Sequence, residues 1–255
     1  MALEIQLVPC LKDNYAYLLH DPASGETAAV DPSEAEPLLA AAQAHGWRLS
    51  HILNTHHHGD HTGGNLALKA ATGARIVGPA PDRDRIPGID VALDEDECFR
   101  LGDRAALVLF IPGHTRGHIA FHFADDQALF CGDTLFALGC GRMFEGTAPQ
   151  MWDSLCKLRA LPEHTRVFCG HEYTQANARF ALTVDRDNPV LAARASAVDA
   201  ARAAGRPTIP STIGKERATN PFLRADQPAL AAAVGLPGAD PAAVFAAIRL
   251  RKDNF

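Results

Sequence analysis

The stretch NTHHHGDHTGGN, residues 54–65, places four histidines and one aspartate in six consecutive positions. Folding alone does not require so many imidazoles in succession, whereas a metal site uses them as ligands. In an extended segment, side chains two residues apart point to the same side. His56 and His58 can therefore share one ion, while His57 points away.

The aspartate and the last histidine of this stretch, Asp60 and His61, follow at the entrance of a predicted helix. There they can turn to a second ion beside the first. Neutral imidazoles and carboxylates suit zinc, iron or manganese, and the ligand types alone do not choose among these metals. An exposed histidine-rich loop with incidental metal affinity is the alternative that this stretch by itself leaves open.

Outward from this stretch, short apolar runs broken by Gly, Pro or polar residues predict strands that alternate with helices. The predicted strands lie at 4–9, 14–20, 27–32, 49–55, 74–79, 105–113, 118–124, 128–133 and 165–171. One helix is predicted from Ser33, as its N-cap, to Gly46, and another over 63–73. This alternation is typical of sheets packed together and covered by helices, an α/β layered sandwich.

The composition of the sequence changes near residue 172, after which alanine-rich segments are separated by Pro and Gly. Helices are predicted at 174–184, 188–205, 227–235 and 240–253, and 207–214 is predicted to be a loop. We therefore expect a catalytic domain over residues 1–172 and a smaller all-helical domain over residues 173–255.

The composition is that of an ordinary globular protein, with 255 residues, 47% of them hydrophobic and a formal net charge of −6. The acidic balance argues against a nucleic-acid binder, which needs a basic patch for phosphates. We see no secretory signal in MALEIQLVPC and no run of about 20 apolar residues that could cross a bilayer. The six scattered cysteines lack CxxC spacing, so we expect reduced thiols in a cytoplasmic protein.

Three further polar residues lie at the end of a predicted strand or just after it. They are His114 in IPGHTRGH, Asp133 in LFCGDT and His171 in VFCGHEYT. Functional groups of layered α/β folds gather on loops at strand ends. A single His or Asp in such a place is more often a cap or a solvated turn residue, but three with the same strand-to-loop arrangement indicate a common site.

Together THHHGDH (55–61), GHTRGH (113–118), GDT (132–134) and GHE (170–172) resemble the metallo-β-lactamase fold superfamily. A narrower resemblance, to the glyoxalase II family of hydroxyacylglutathione hydrolases, is carried by longer segments. These are FALGCGRMFEGT (136–147), CGHEYT (169–174), ATNPFLR (218–224) and RLRKD (249–253). The resemblance implies an αββα sandwich with a smaller all-helical C-terminal domain.

The resemblance also implies two divalent metal ions per chain, zinc above all, with iron or manganese as alternatives. The implied ligands of one ion are His56, His58 and His114, those of the other are Asp60, His61 and His171, and Asp133 bridges both. His57 occupies a variable position and is implied not to be a ligand, so its replacement should leave both metals and most activity in place. His118 could orient a ligand by a hydrogen bond.

The activity implied is hydrolysis of S-(2-hydroxyacyl)glutathione, chiefly S-D-lactoylglutathione, to glutathione and D-lactate, the second step of methylglyoxal detoxification. A hydroxide bound to the metal pair would attack the thioester, with Asp60 and Asp133 as the acidic residues of the centre. No GxSxG nucleophile is present. A glutathione persulfide dioxygenase or a lactonase on the same fold remains an alternative, as does a metal-binding module that has lost catalysis.

A glutathione pocket needs cations outside the metal loops. Arg249 and Lys252 are three residues apart and share one helical face, which by itself could merely complement the helix dipole. The resemblance implies that they grip the glycine carboxylate of glutathione, while Arg142, Phe144, Tyr173 and Asn177 line the site. We expect a monomer whose only partner is this small thioester, with no nucleic acid or membrane.

Overall fold

The computed structural model describes residues 2–255, which form two compact units. Of these residues, unit 1 comprises 2–110 and Thr115–Gly132, and unit 2 comprises Ile111–His114 and Asp133–Phe255. Among residues 2–255, no helix is long and apolar enough to cross a membrane. The expected boundary at residue 172 follows helical content rather than backbone contacts, and it stays a prediction.

The strands described in unit 1 form a mixed sheet and an antiparallel array. Their bounds are β1 (Glu4–Cys10), β2 (Asn14–His20), β3 (Glu26–Val30), β4 (Arg48–Leu53), β5 (Arg75–Pro79), β6 (Val91–Leu93), β7 (Cys98–Leu101), β8 (Arg104–Phe110), β9 (Ile119–Phe123) and β10 (Ala128–Gly132). The first sheet has the order β1-β2-β3-β4-β5-β6, antiparallel from β1 to β3 and parallel from β3 to β6. Strands β7 to β10 pair antiparallel in sequence order.

Strand β2 is buried on both faces, which explains its unbroken apolar run. On one face, Leu18 packs in a cluster with Leu38 of helix α1 (Glu36–His45) and Leu68 of helix α3 (Asn65–Thr72). On the other face, the ring of Tyr17 meets that of Phe130 on β10 at a centroid distance of 5.5 Å. Unit 1 therefore layers helices, a mixed sheet and an antiparallel array, and all nine predicted strands of the chain are confirmed.

The helix predicted from Ser33 has a different start, and the helix predicted over 63–73 is confirmed as α3, whose C-cap is Gly73. The N-cap of α1 is Ala35 rather than Ser33, because the Ser33 hydroxyl instead donates a hydrogen bond to the carbonyl oxygen of Asp60 at 2.5 Å. The helix predicted over 63–73 is preceded by a separate turn of helix, α2 (Gly59–Thr62), and α3 follows it. Gly63 lies between the two helices and packs closely on the backbone of Ser33, since a Cβ atom there would lie 2.6 Å from the Ser33 carbonyl oxygen.

Unit 2 is mainly helical. Its elements are β11 (Leu135–Phe136), β12 (Gly139–Cys140), α4 (Ala148–Arg159), β13 (Arg166–Cys169), α5 (Thr174–Val184), α6 (Pro189–Ala203), β14 (Ser211–Thr212), α7 (Ile213–Thr219), α8 (Pro228–Ala233) and α9 (Pro241–Asp253). The four helices predicted after residue 172 are confirmed. The loop predicted at 207–214 is wrong at its end, because Ser211 and Thr212 pair with β13. Thr212 then caps α7 by accepting a hydrogen bond from Lys215 N.

Packing within unit 2 joins its helices to the hairpin of β11 and β12. Leu138, in the turn of that hairpin, lies in a buried cluster with Ala181 of α5 and Leu191 of α6. Trp152 of α4 and Phe245 of α9 bring their rings to 6.3 Å. The hairpin that carries the FALGCGR segment is therefore held by the helices that follow residue 172.

Candidate functional site

The histidine stretch of unit 1 runs from the end of β4 to α2. His56 and His61 are buried, and their ring centroids lie 4.2 Å apart. The ring of His58 is 4.8 Å from that of His56. The structure thus brings together the three histidines of this stretch that were predicted to be ligands.

Asp60 is held by hydrogen bonds from neighbouring side chains of unit 1. Asn14 Nδ2 donates to its carbonyl oxygen and to its Oδ2, both at 3.1 Å. Asp60 Oδ2 also lies 3.6 Å from His61 Nε2. The carboxylate is therefore fixed beside a ring nitrogen, while 40% of the side chain stays exposed.

Asp31, which sequence reasoning missed, supports this stretch from the end of β3. The backbone N–H and the hydroxyl of Thr55 donate to its two carboxylate oxygens at 2.8 and 2.7 Å. His61 Nδ1 lies 3.2 Å from Asp31 Oδ2. Ligand atoms of Asp31, His56 and His61 all lie within 4.8 Å of one another. In the sequence Asp31 is an acidic residue near the end of the strand predicted over 27–32, and it was not singled out as a site residue.

In unit 2, two predicted ligands converge on a third. His114 Nε2 lies 3.5 Å from Asp133 Oδ2, and His171 Nε2 lies 3.3 Å from the same oxygen. All three residues are about 95% buried. One carboxylate oxygen therefore faces two imidazole nitrogens, which is the arrangement expected of a carboxylate shared between metal ions.

The tautomers of two of these histidines follow from their partners. His114 Nδ1 lies 2.8 Å from the carbonyl oxygen of Arg142, which can only accept, so the proton is on Nδ1. The Asp31 carboxylate accepts from His61 Nδ1 in the same way. Both rings keep a lone pair on Nε2 for a metal, with a hydrogen bond that fixes ring orientation. These donor sets fit a divalent metal such as zinc.

Two other histidines lie beside the ligand stretch. His118 stacks on His56 at a centroid distance of 4.6 Å, and its Nδ1 lies 3.0 Å from the carbonyl oxygen of Ile119. His57 turns to Asp82, whose Oδ2 is 3.0 Å from His57 Nδ1. That His118 orients a ligand, and that His57 is not one, stay predictions.

Arg249 is buried in unit 2 and serves the protein's own groups. Its Nη1 donates to the carbonyl oxygen of Cys140 at 3.0 Å and its Nη2 to Asp253 Oδ1 at 2.9 Å. Arg142 Nε lies 3.7 Å from the same Asp253 oxygen, but 66% of its side chain is exposed. Of these two arginines, Arg142 is therefore the one open to an incoming anion.

Lys252 lies one helical turn from Arg249. Its Nζ donates to the carbonyl oxygen of Ala176 at 3.3 Å and lies 5.4 and 5.2 Å from the rings of Phe180 and Phe255. Burial lowers the pKa of Lys252, and the positive charges of Arg249 and Arg142 lower it further. A substrate carboxylate beside Lys252 would offset the repulsion among these cations.

The two predicted aromatic residues contact the candidate ligands of unit 2. Tyr173 stacks on His171 with ring centroids 4.6 Å apart and an interplanar angle of 3°. Phe144 lies 5.2 Å from His114 and is 63% exposed. Both rings could therefore form walls for a thioester that approaches these histidines.

Asn177 is buried beneath the hairpin of β11 and β12. Its Nδ2 donates to the carbonyl oxygen of Ala137 at 3.1 Å, and a Cβ atom on Gly139 would overlap its amide group. The structure gives Asn177 a supporting role for this hairpin. Burial raises the pKa of the nearby Cys140 thiol to about 11, so this cysteine is a neutral thiol.

Glu216 was missed in the sequence, although it is fully buried next to the same hairpin. It accepts hydrogen bonds from Leu138 N at 2.8 Å, from Asn220 Nδ2 at 3.1 Å, and from Arg194 and Ser211. Asn220, within ATNPFLR, also donates to the Gly139 carbonyl oxygen at 2.9 Å. Glu216 itself lies outside the segments that carried the resemblance, whereas Asn220 lies within one of them.

Two family models match the chain. The model of the metallo-beta-lactamase superfamily matches residues 13–171, and the model described as hydroxyacylglutathione hydrolase C-terminus matches residues 172–255. A curated protein of Methylococcus capsulatus named hydroxyacylglutathione hydrolase is 63% identical over 253 residues, which cover 99% of each chain.

Solved structures give the same picture of the fold. ETHE1 from Myxococcus xanthus superposes with a TM-score of 0.67 at 25% identity, covering 99% of this chain and 98% of its own. TTHA1623, solved in a di-iron-bound form, gives a TM-score of 0.62 at 26% identity, covering 84% and 98%. The metallo-β-lactamase fold with a helical C-terminal region, expected from the sequence, is confirmed.

Proposed function

Because the chain belongs to the hydroxyacylglutathione hydrolases of the metallo-β-lactamase superfamily, we propose that it hydrolyses S-(2-hydroxyacyl)glutathione, chiefly S-D-lactoylglutathione, to glutathione and D-lactate. The observation that carries this proposal is the convergence of two imidazole nitrogens on Asp133 Oδ2. We assign catalysis to residues 1–172, which also carry Arg142 and Phe144 of the substrate site, and the rest of substrate binding to residues 173–255, a division that the adjoining family matches support.

The proposed centre holds two divalent ions, most simply zinc, with iron or manganese as alternatives. The proposed ligands are His56, His58 and His114 for one ion, Asp60, His61 and His171 for the other, and Asp133 for both. The di-iron form of the similar protein TTHA1623 supports a pair of ions. When bound, such a pair supplies hydroxide near neutral pH and stabilises the oxyanion that forms on the thioester.

The residues of the chain then have defined tasks. Asp133 places one carboxylate oxygen 3.5 Å from His114 Nε2 and 3.3 Å from His171 Nε2, so it would share metal ions with both rings. The half-exposed carboxylate of Asp60, fixed by Asn14, can hold the proton that the attacking water loses. The leaving group is a thiolate, which is far less basic than an amine, so no further acid is needed to expel it.

The glutathione moiety is held by unit 2. We assign the direct contact with its glycine carboxylate to Lys252 and to the exposed Arg142, and a supporting contact to the buried Arg249. Tyr173 and Phe144 flank the thioester, while Asn177 supports the hairpin that carries Cys140. This arrangement matches two cations to an anionic substrate.

The decisive experiment is hydrolysis of S-D-lactoylglutathione, followed by loss of the thioester absorbance, for the metal-free protein and after addition of zinc, iron or manganese. We expect turnover that depends on metal. Oxygen consumption with glutathione persulfide, or faster hydrolysis of a lactone, would replace the proposal with one of the two alternatives on the same fold. Absence of all three activities in the metal-loaded protein would indicate a binding module.

We further propose a monomeric enzyme of the cytoplasm that binds neither nucleic acid nor membrane. All six cysteines are free thiols, which supports a reducing compartment. Light scattering of the purified protein tests the monomer, since a dimer would double the mass.

A further inference from the structure

The residue predicted to be a bystander, His57, lies in a buried ion cluster of unit 1. Its Nδ1 is 3.0 Å from Asp82 Oδ2, and Arg85 Nη1 donates to Asp82 Oδ1 at 3.2 Å. Arg85 Nη2 also donates to His57 Nε2 through a very short hydrogen bond. The Asp82 side chain is fully buried, and only 12% of the His57 side chain is exposed.

These contacts fix the tautomer of His57. A guanidinium group can only donate, so His57 Nε2 must accept from Arg85 and cannot carry a proton. The proton therefore lies on Nδ1 and is donated to Asp82. Both ring nitrogens of His57 are engaged, which explains physically why this histidine, although between two candidate ligands, does not face the metal centre.

Asp82 also contacts a second loop. A Cβ atom on Gly117, in the GHTRGH segment, would overlap the Asp82 carboxyl group, so only glycine fits there. The neighbouring His118 stacks on His56 at 4.6 Å. Asp82 therefore lies between the segment of His57 and the segment of Gly117, both of which adjoin His56.

A backbone bond ties the same two segments directly. Ile119 N donates to the carbonyl oxygen of Thr55 at 2.9 Å. The histidine stretch is thus fixed at Thr55 by β9, at His56 by stacking, and at His57 by Asp82. Since successive side chains of an extended segment alternate in direction, anchoring His57 on one side fixes the opposite direction for His56 and His58.

We propose that Asp82 is a positioning residue of the metal centre, which acts by holding His57 and the glycine loop so that His56 and His58 present their rings to one ion. This inference rests on the proposed function, because it needs the metal centre. Partners of ligand residues typically change metal affinity about 10–100-fold when they are removed. Here the partner acts one residue away, through the backbone of the histidine stretch.

The test is zinc affinity, measured without substrate by competition with a chromophoric chelator. We expect Asp82→Ala and His57→Ala to raise the dissociation constant for zinc about 10-fold or more. For His57 this replaces the expectation from the sequence that its loss leaves both metals in place. His57→Asn keeps a donor near the position of Nδ1 and should retain close to wild-type affinity. The matched control is Asp84→Ala, an exposed acid of the same short helix, Ala80–Arg85, which should change nothing.

Two further measurements distinguish a positioning role of Asp82 from a general loss of structure in the variants. Thermal unfolding of the metal-free proteins reports stability, and His57→Ala serves if Asp82→Ala does not fold. Nitrogen-edited NMR should show a protected Nδ1 proton on His57 in the wild type and in Asp84→Ala, lost in Asp82→Ala. Wild-type zinc affinity in both alanine variants would overturn the positioning role while leaving the thioesterase proposal intact. A wild-type protein that binds none of zinc, iron and manganese would overturn the metal centre itself.

Discussion

Arg249 Nη1 donates a hydrogen bond to the carbonyl oxygen of Cys140, 109 residues earlier in the chain, at 3.0 Å. The same guanidinium holds Asp253, one helical turn further on. Its Nε is buried, with no hydrogen-bond partner found among residues 2–255. Arg249 thus joins α9 to the hairpin of β11 and β12, whereas the direct contact with substrate is proposed for the neighbouring Lys252. The two residues of the R-x-x-K pair therefore have separable tasks.

The first prediction separates these tasks by mutation. Lys252→Ala removes one charge-assisted contact worth about 1.5–3 kcal/mol, so KM for S-D-lactoylglutathione should rise about 10–100-fold with stability unchanged. Arg249→Ala should raise KM as well, and it should also lower the free energy of unfolding by about 1–3 kcal/mol because buried acceptors lose their donor. Steady-state kinetics and urea unfolding measure both effects.

The control for this pair is Arg251→Ala on the same helix. Arg251 is exposed and donates only to the carbonyl oxygen of Ala233. Its loss should leave KM unchanged, and none of the three variants should alter metal content. An unchanged KM in Lys252→Ala would remove the assigned role of α9.

The second prediction concerns pH. Burial lowers the pKa of Lys252 below its ordinary value of 10.5, and Arg249 and Arg142 add to this effect. The ammonium charge is complete below this lowered pKa and is lost as pH rises through it, so KM should rise at a lower alkaline pH than an ordinary lysine would produce. A bound substrate carboxylate raises the pKa of Lys252 again. The value of kcat, which reports the enzyme–substrate complex, should therefore not change over the same pH range. Lys252→Arg keeps its charge above pH 10.5 and should remove the rise of KM at alkaline pH. If this variant showed the same dependence of KM on pH as the wild type, Lys252 would not be the titrating group.

Regular strands and candidate ligands at strand ends could be proposed from the sequence because each leaves a local pattern. Apolar runs marked the sheets, and a His or Asp directly after such a run marked His114, Asp133 and His171. The strands β6 and β7 were missed because they are only three and four residues long and lie in the charged segment around VALDEDECFRL. Their pairing depends on neighbours rather than on their own sequence.

The supporting acids could not be found in this way. Asp31 accepts a hydrogen bond from Thr55, 24 residues away, and Glu216 accepts one from Leu138, 78 residues away. A single acidic residue shows no periodic pattern that would indicate such a partner. For His57, too, the sequence did not predict the partner. Alternation along an extended segment predicted that its ring points away from His56 and His58, but the partner it points to, Asp82, is 25 residues distant.

The third prediction tests the shared carboxylate. Asp133→Ala removes the oxygen that lies 3.5 and 3.3 Å from His114 and His171, so metal occupancy should fall and kcat should drop about 100-fold or more. Metal analysis of the dialysed protein and kcat measure the two effects. Asp125→Ala, which changes an exposed acid in the turn before β10, is the control. Full activity with two metals per chain in Asp133→Ala would remove the bridging assignment.

The fourth prediction is that Glu216 contributes a large part of the stability of unit 2. Its buried carboxylate accepts from Arg194, Ser211, Asn220 and Leu138 N, and breaking such a pair leaves a buried charge uncompensated. Glu216→Ala should therefore lower the free energy of unfolding by about 3–5 kcal/mol, measured by urea denaturation.

A matched acid on the surface shows why burial decides the size of this effect. Glu163 pairs with Arg217 at 3.1 Å, but its side chain is 71% exposed, and exposed pairs contribute about 0–1 kcal/mol. Glu163→Ala should therefore unfold almost as the wild type does. Glu216 also holds Leu138 in the hairpin that carries Cys140. Glu216→Gln keeps an acceptor oxygen, so its free energy of unfolding and its KM should lie closer to the wild-type values than those of Glu216→Ala. Equal losses in Glu216→Ala and Glu163→Ala would show that the buried network adds nothing beyond a surface ion pair.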